Sequence, residues 1–148
     1  MQVSDLTGAW HLLAFESHDP TKGVSYPYGQ EVDGQLMYTA QGEVFLVVMA
    51  RNRTRVGVLL EDLRDLGIGW KFFRAIGRYR AALLKQFSYA GTYRVEGKAV
   101  FHKVAVASFP DWVGTELRRD AELSGQRLRL SLTNRRGVRT DLVWGRQA

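Results

Sequence analysis

The sequence has no cysteine and only three histidines. The first absence excludes a disulfide framework, thiolate chemistry and any zinc site built on Cys. It fits a reducing cytoplasm, the compartment expected here. The imidazoles are His11, His18 and His102, and strand parity places His11 outside, so no three-histidine metal site is expected. No apolar run approaches the length of a membrane span. The opening MQVSDLTGAW has neither the basic start nor the long apolar stretch of a signal peptide. Gly-rich phosphate loops, Ser-x-x-Lys pairs and Gly-x-Ser-x-Gly signatures are also missing. The expectation is a soluble chain with no metal and no cofactor.

At 148 residues the chain suits a single domain, residues 1–148, large enough to bury a core without staples. The formal net charge of +6 is unevenly distributed. Residues 51–86 hold nine Arg or Lys against three Asp or Glu, and the remainder holds twelve of each sign. One segment therefore carries the basic character, which argues against a general nucleic-acid-binding surface.

Eight strand-like runs are readable: 8–17, 34–40, 43–50, 87–95, 98–108, 116–123, 126–133 and 138–146. Gln41-Gly42, Glu96-Gly97 and Ser124-Gly125 separate three pairs of them, and an X-Gly pair between alternating runs signals a hairpin. Tight turns and longer loops alternate along the chain. An up-and-down arrangement then puts all tight turns at one end and all long loops at the other. The fold expected is all-β, an eight-stranded antiparallel up-and-down barrel, whose closure removes exposed edges. One helical insertion is expected between the third and fourth strands, over 51–86. Its core is GWKFFRAIGRYRAALLKQF, with Trp70, Phe73, Ile76, Leu83 and Leu84 at near-helical spacing. It is expected to act as a lid over the loop end.

Side chains alternate along a strand, so each run can be split into faces. In VFHKVAVAS, Val100, His102, Val104 and Val106 share a face. Counting two-residue hairpin loops sets Gly91 opposite His102, where glycine would leave room for the ring. The inward polar set is Glu16, Tyr38, Tyr89, Tyr93, His102, Arg119 and Thr140. Phe45, Val47 and Met49 are expected on the inner wall of the third run. Trp10 and Trp144 are expected to plug the tight-turn end.

The pieces GAW, LLAFE, VSYPYG, LMYT, FSYAGTYRV, FPDWVGT and LVWGR, in that order, resemble the bacterial and fungal lipocalin-like domain family. They cover most of the chain, and 51–75 is the divergent part. Trp10, Glu16, Tyr38, Tyr89, Gly91, Tyr93, His102, Trp112, Arg119 and Trp144 fall where that family tends to show the same residue types. The resemblance implies an eight-stranded barrel with a small-molecule cavity. Related barrels include carriers and a few cofactor-free cyclases or isomerases of natural-product pathways. The insert here is longer, more aromatic and more basic than is usual in the family, and Phe45 and Val47 replace small or polar residues. A greasier cavity with a different lid is the expectation.

A buried imidazole needs hydrogen-bond partners, which a structural polar network can supply. His102 can also serve as a general acid/base, because imidazole titrates near neutral pH. Arg119 needs an anion: Glu16 in an internal ion pair, or a ligand carboxylate, enolate or phenolate. The function expected is binding of a small hydrophobic molecule, oriented by Glu16, His102 and Arg119. Tyr38, Phe45, Val47, Met49, Tyr89, Tyr93, Val104, Trp112 and Thr140 are the expected ligand-lining residues. The alternative is a cofactor-free cyclase or isomerase of polyketide-like biosynthesis, with Glu16, His102 and Arg119 catalytic. The basic insert offers a third partner, an anionic membrane surface.

Overall fold

The computed structural model describes residues 1–147. Nine strands run in chain order: β1 (Gly8–Asp19), β2 (Gly23–Ser25), β3 (Val32–Tyr38), β4 (Glu43–Ala50), β5 (Gln86–Glu96), β6 (Ala99–Ala107), β7 (Glu116–Ser124), β8 (Arg127–Thr133) and β9 (Arg139–Arg146). Each strand from β3 onward pairs antiparallel with the next, and β1 pairs with both β3 and β9, which closes an eight-stranded barrel. The short β2 adds to the far end of β1, Ser17 opposite Ser25. Because of this extra strand, the helical insert joins β4 to β5.

The glycines of the three tight turns, Gly42, Gly97 and Gly125, all have positive φ, which only glycine adopts without strain. The loops themselves differ from the X-Gly count. Val95 lies opposite Val100 and Tyr93 opposite His102, so the loop is Gly97-Lys98 and the count slips by two residues. Leu123 opposite Leu128 shows the same slip. A two-residue slip preserves which face a side chain takes.

A one-residue slip reverses it. The β3–β4 turn holds three residues between Thr39 and Glu43, whose backbones bond at 2.9 Å, and Tyr38 lies opposite Val44. Val44, Leu46, Val48 and Ala50 therefore point inward. Phe45, Val47 and Met49 face out, contrary to expectation, and Phe45 is 47% exposed. A bulge at Leu13 does the same to the end of β1: Leu12 and Phe15 both face in, and Glu16 faces out opposite Asp141. A second bulge at Ala105 turns Val106 outward, leaving Val100, His102 and Val104 inside.

Gly91 has a different reason from the one expected. It lies opposite Val104 at the second bulge, and a Cβ there would sit 1.9 Å from the Lys103 carbonyl oxygen. Close backbone approach requires the glycine.

The tight-turn end is sealed. Trp10 and Trp144 are fully buried as expected, and the Trp10 indole N–H donates to the Leu6 carbonyl at 2.9 Å. Leu6 ends a four-residue helix, α1 (Val3–Leu6), and is itself fully buried. Arg146 donates to the Thr7 and Asp5 carbonyls at 2.8 and 2.6 Å, and its guanidinium stacks 4.1 Å from the Trp10 ring.

The insert is held differently. Helix α2 (Trp70–Leu83) follows a 3₁₀ turn at Asp62–Leu66, and Ala75 is its fully buried residue. The Tyr79 hydroxyl donates to the Val58 carbonyl at 2.6 Å and Arg78 donates to the Val56 carbonyl at 3.2 Å. The helix thus rests mainly on the chain segment before it, and its principal strand contact is β5, which follows it.

Candidate functional site

The interior polar layer comes from β3, β5, β6 and β7. Tyr38 ends β3, Tyr89 lies in β5, His102 in β6 bonds to both tyrosine hydroxyls, and Arg119 lies in β7. Tyr38 Oη is 2.7 Å from His102 Nε2, and Tyr89 Oη is 2.7 Å from Nδ1. Both ring nitrogens are engaged, and the ring is fully buried. Burial, helped by the positive charge of Arg119, pulls the His102 pKa down to about 3. The ring is therefore neutral at physiological pH, accepting one hydrogen bond and donating the other.

Arg119 lies close enough to both tyrosines for its charge to act on their hydroxyls. One tyrosine donates to the ring and the other accepts from it, with the direction set by the tautomer of His102. Burial raises the pKa of both tyrosines, while the nearby guanidinium opposes the rise. The valine row holds a histidine because the ring ties two buried hydroxyls together.

Arg119 is 9% exposed, and its Nε has no hydrogen-bond partner. Among the described residues no carboxylate pairs with it. Glu16, expected as its partner, is on the outer face: its Oε2 is 3.2 Å from His18 Nε2. The same nitrogen is 3.4 Å from Asp141 Oδ2, which Arg139 Nη2 approaches at 3.0 Å. The bulge at Leu13 has moved Glu16 from the cavity into this surface cluster.

Arg119 borders a cavity of about 250 Å³ inside the barrel. Leu130, Leu132, Thr140 and Leu142 form one wall; Phe15, Tyr28, Phe87 and Trp112 form the other. The aromatic side is a packed group. Phe15 meets Tyr28 edge-on at 4.9 Å between centroids, and Phe87 meets Trp112 at 5.6 Å. Of the expected lining residues, Trp112 and Thr140 border this cavity. Tyr38, Tyr89, Tyr93 and Val104 face inward but pack in the core beneath it. Tyr93 donates to the Thr39 carbonyl at 3.0 Å.

Phe45 and Val47 lie instead on a larger concavity, about 760 Å³ on the outer wall, beside Met37 and Val106. No charged side chain borders it. The interior cavity is smaller but is the one that meets a buried ionised group, which is the feature of a specific ligand site.

A family model described as a lipocalin-like domain matches residues 7–146. The chain belongs to the lipocalin-like domain family. Solved structures similar to this lipocalin-like barrel have low sequence identity to it. A lipocalin-like protein from Bacteroides uniformis is 12% identical, covering 97% of this chain and 99% of that one, at a TM-score of 0.48. A protein from Bacteroides eggerthii is 14% identical, covering 96% and 99%, at a TM-score of 0.47. No curated protein matches. In the lipocalin-like barrel, sequence reading missed Phe15, Phe87, Leu130, Leu132 and Leu142 as cavity residues. The alternation of RLRLSLT already put Leu128, Leu130 and Leu132 on one face, so that wall was findable. Phe15 was hidden by the bulge.

Among the described residues no group of three or more His, Asp or Glu is placed to hold a metal ion. Among the described residues no helix is long and apolar enough to cross a membrane.

Proposed function

We propose that the barrel binds a small hydrophobic molecule with an anionic head, a carboxylate or phenolate, held by Arg119. One observation carries this reading: a guanidinium nine-tenths buried, with an unpartnered Nε, bordering an apolar cavity. Burying a charge without a partner is costly, and a planar anion supplies the missing acceptors in bidentate geometry. Small eight-stranded barrels of this kind commonly enclose one ligand. A volume of about 250 Å³ is at the low end for a ligand pocket, so a longer ligand extends its tail past Tyr28, Phe87 and Trp112.

Calorimetric titration with a series of hydrophobic carboxylates and their matching alcohols tests this. The acids should bind roughly 10- to 100-fold more tightly, the range of one charge-assisted hydrogen-bonded pair. Arg119→Met should erase the difference. Equal affinity of acids and alcohols for the native protein would refute the anionic head.

The hydrogen-bonded chain Tyr89–His102–Tyr38, with Arg119 near it, favours a second reading, a cofactor-free cyclase or isomerase. Here Arg119 would stabilise an enolate as negative charge develops. His102 would act through Tyr89, since both its nitrogens are occupied. Turnover of a bound polyketide-like substrate, lost in Tyr89→Phe with binding retained, is the result this reading requires.

A further inference from the structure

We propose that α2 and the segment before it form a docking surface for an anionic phospholipid membrane, and that docking turns the mouth of the barrel toward the lipid. The inference stands independently of what the cavity binds.

The helix has three sides. Phe72, Ala75 and Tyr79 turn toward the preceding segment and are partly or wholly buried. The side bearing Trp70, Phe73 and Leu84 is uncovered among the described residues, with exposures of 78%, 62% and 61%. Ile68, just before the helix, is 90% exposed. Lys71 and Arg74 flank that apolar side, joined at the C-terminal end by Lys85, and all three are exposed. An apolar side beside a basic flank is the pattern of a helix lying in a bilayer interface, its aromatics in the acyl boundary and its cations at the headgroups.

Charge chooses among the occupants. Residues 51–86 carry nine basic and three acidic side chains, so two copies meeting through this face would bring like charges together. A nucleic acid would accept the cations but offers nothing to Trp70, Phe73 and Leu84. An anionic lipid surface satisfies both sides at once.

The position of the helix gives docking a consequence. A depression of about 430 Å³ runs from Leu83 and Leu84 to Phe109, and its floor is Tyr28, Phe87 and Trp112. Those three aromatics are also the outer wall of the cavity at Arg119. A membrane seated on α2 therefore lies next to the aromatic gate.

The test is co-sedimentation of the full chain with phosphatidylcholine vesicles and with vesicles containing an equal share of phosphatidylserine. Tryptophan emission is followed in parallel. Trp10 and Trp144 are fully buried, and every protein whose emission is compared carries Trp112→Phe at the mouth, so Trp70 reports the contact. The protein should bind the phosphatidylserine vesicles in a salt-sensitive way, with a blue shift in emission. Lys71→Gln/Arg74→Gln/Lys85→Gln should weaken binding on the order of fivefold per cation, roughly a hundredfold together. Trp70→Ser/Phe73→Ser should abolish the blue shift and the binding. Near-ultraviolet circular dichroism of each surface variant should match that of its parent protein, since the side chains altered on this surface are exposed. Absence of vesicle binding by native protein would overturn the proposal. So would equal binding to phosphatidylcholine alone, or a dimer that forms through Trp70 and Phe73 without vesicle binding. Duplex DNA binding that survives Trp70→Ser/Phe73→Ser, again without vesicle binding, would assign the surface to nucleic acid.

Discussion

At the tight-turn end Trp10, Trp144 and Leu6 are fully buried, and Arg146 bonds across to the chain that precedes β1. At the loop end Arg119 lacks a carboxylate among the described residues, the mouth is a ring of aromatics, and α2 leaves Trp70 and Phe73 to solvent. The same strands supply both ends. Short turns hold the strands together below, and the side chains there are buried against one another. Long connections separate the strands above, leaving a cavity beside the unpartnered Nε of Arg119. Packing is densest at one end, and the cavity opens at the other.

Substitutions at the two ends should separate these properties. The largest effect belongs to the floor: Trp144→Ala should cost about 3–5 kcal/mol by chemical denaturation, the range for emptying a buried aromatic site. A much smaller loss would mean that the floor is not what stabilises the barrel.

The polar layer between the ends should give a pH-dependent effect. An unfolded histidine gains its proton below about pH 6.5, whereas folded His102 resists protonation down to about 3. Its contribution is complete above pH 6.5 and is lost as the pH falls toward 3. The slope is roughly 1.4 kcal/mol per pH unit, so about 2 kcal/mol between pH 6.5 and 5. His102→Gln should remove that component, and the check is the difference between native and variant denaturation midpoints across this window. Parallel profiles would mean that the ring titrates normally and is solvated.

The smallest change in stability should come from the site itself. Arg119→Met should leave stability unchanged or raise it by about 1 kcal/mol, because the variant no longer buries a charge. A loss comparable to that of Trp144→Ala would make Arg119 a structural residue and weaken the contrast between the ends.

Faces were legible wherever the register was simple or wrong by an even number. His102, Arg119, Tyr38, Tyr89, Tyr93 and Thr140 face inward as their parity predicts, although two hairpins slip by two residues. Every reversed face traces to one extra residue: the three-residue turn before β4, the bulge at Leu13 and the bulge at Ala105. These moved Phe45, Val47, Met49, Glu16 and Val106 to the outside. EVFLVVMA is apolar on both faces, so its composition carries no information that could correct the slip.

Sequence alone determined the barrel, its end-to-end asymmetry, the aromatic floor and the basic insert, because alternation, glycine turns and charge distribution are local properties of the chain. Tertiary structure alone decided that Glu16 leaves the cavity, that Arg119 remains unpaired and that α2 keeps an uncovered side. The physical reason is that a strand's face depends on hydrogen-bond register with its neighbours. One unpaired residue in a bulge changes that register while leaving the local pattern almost untouched.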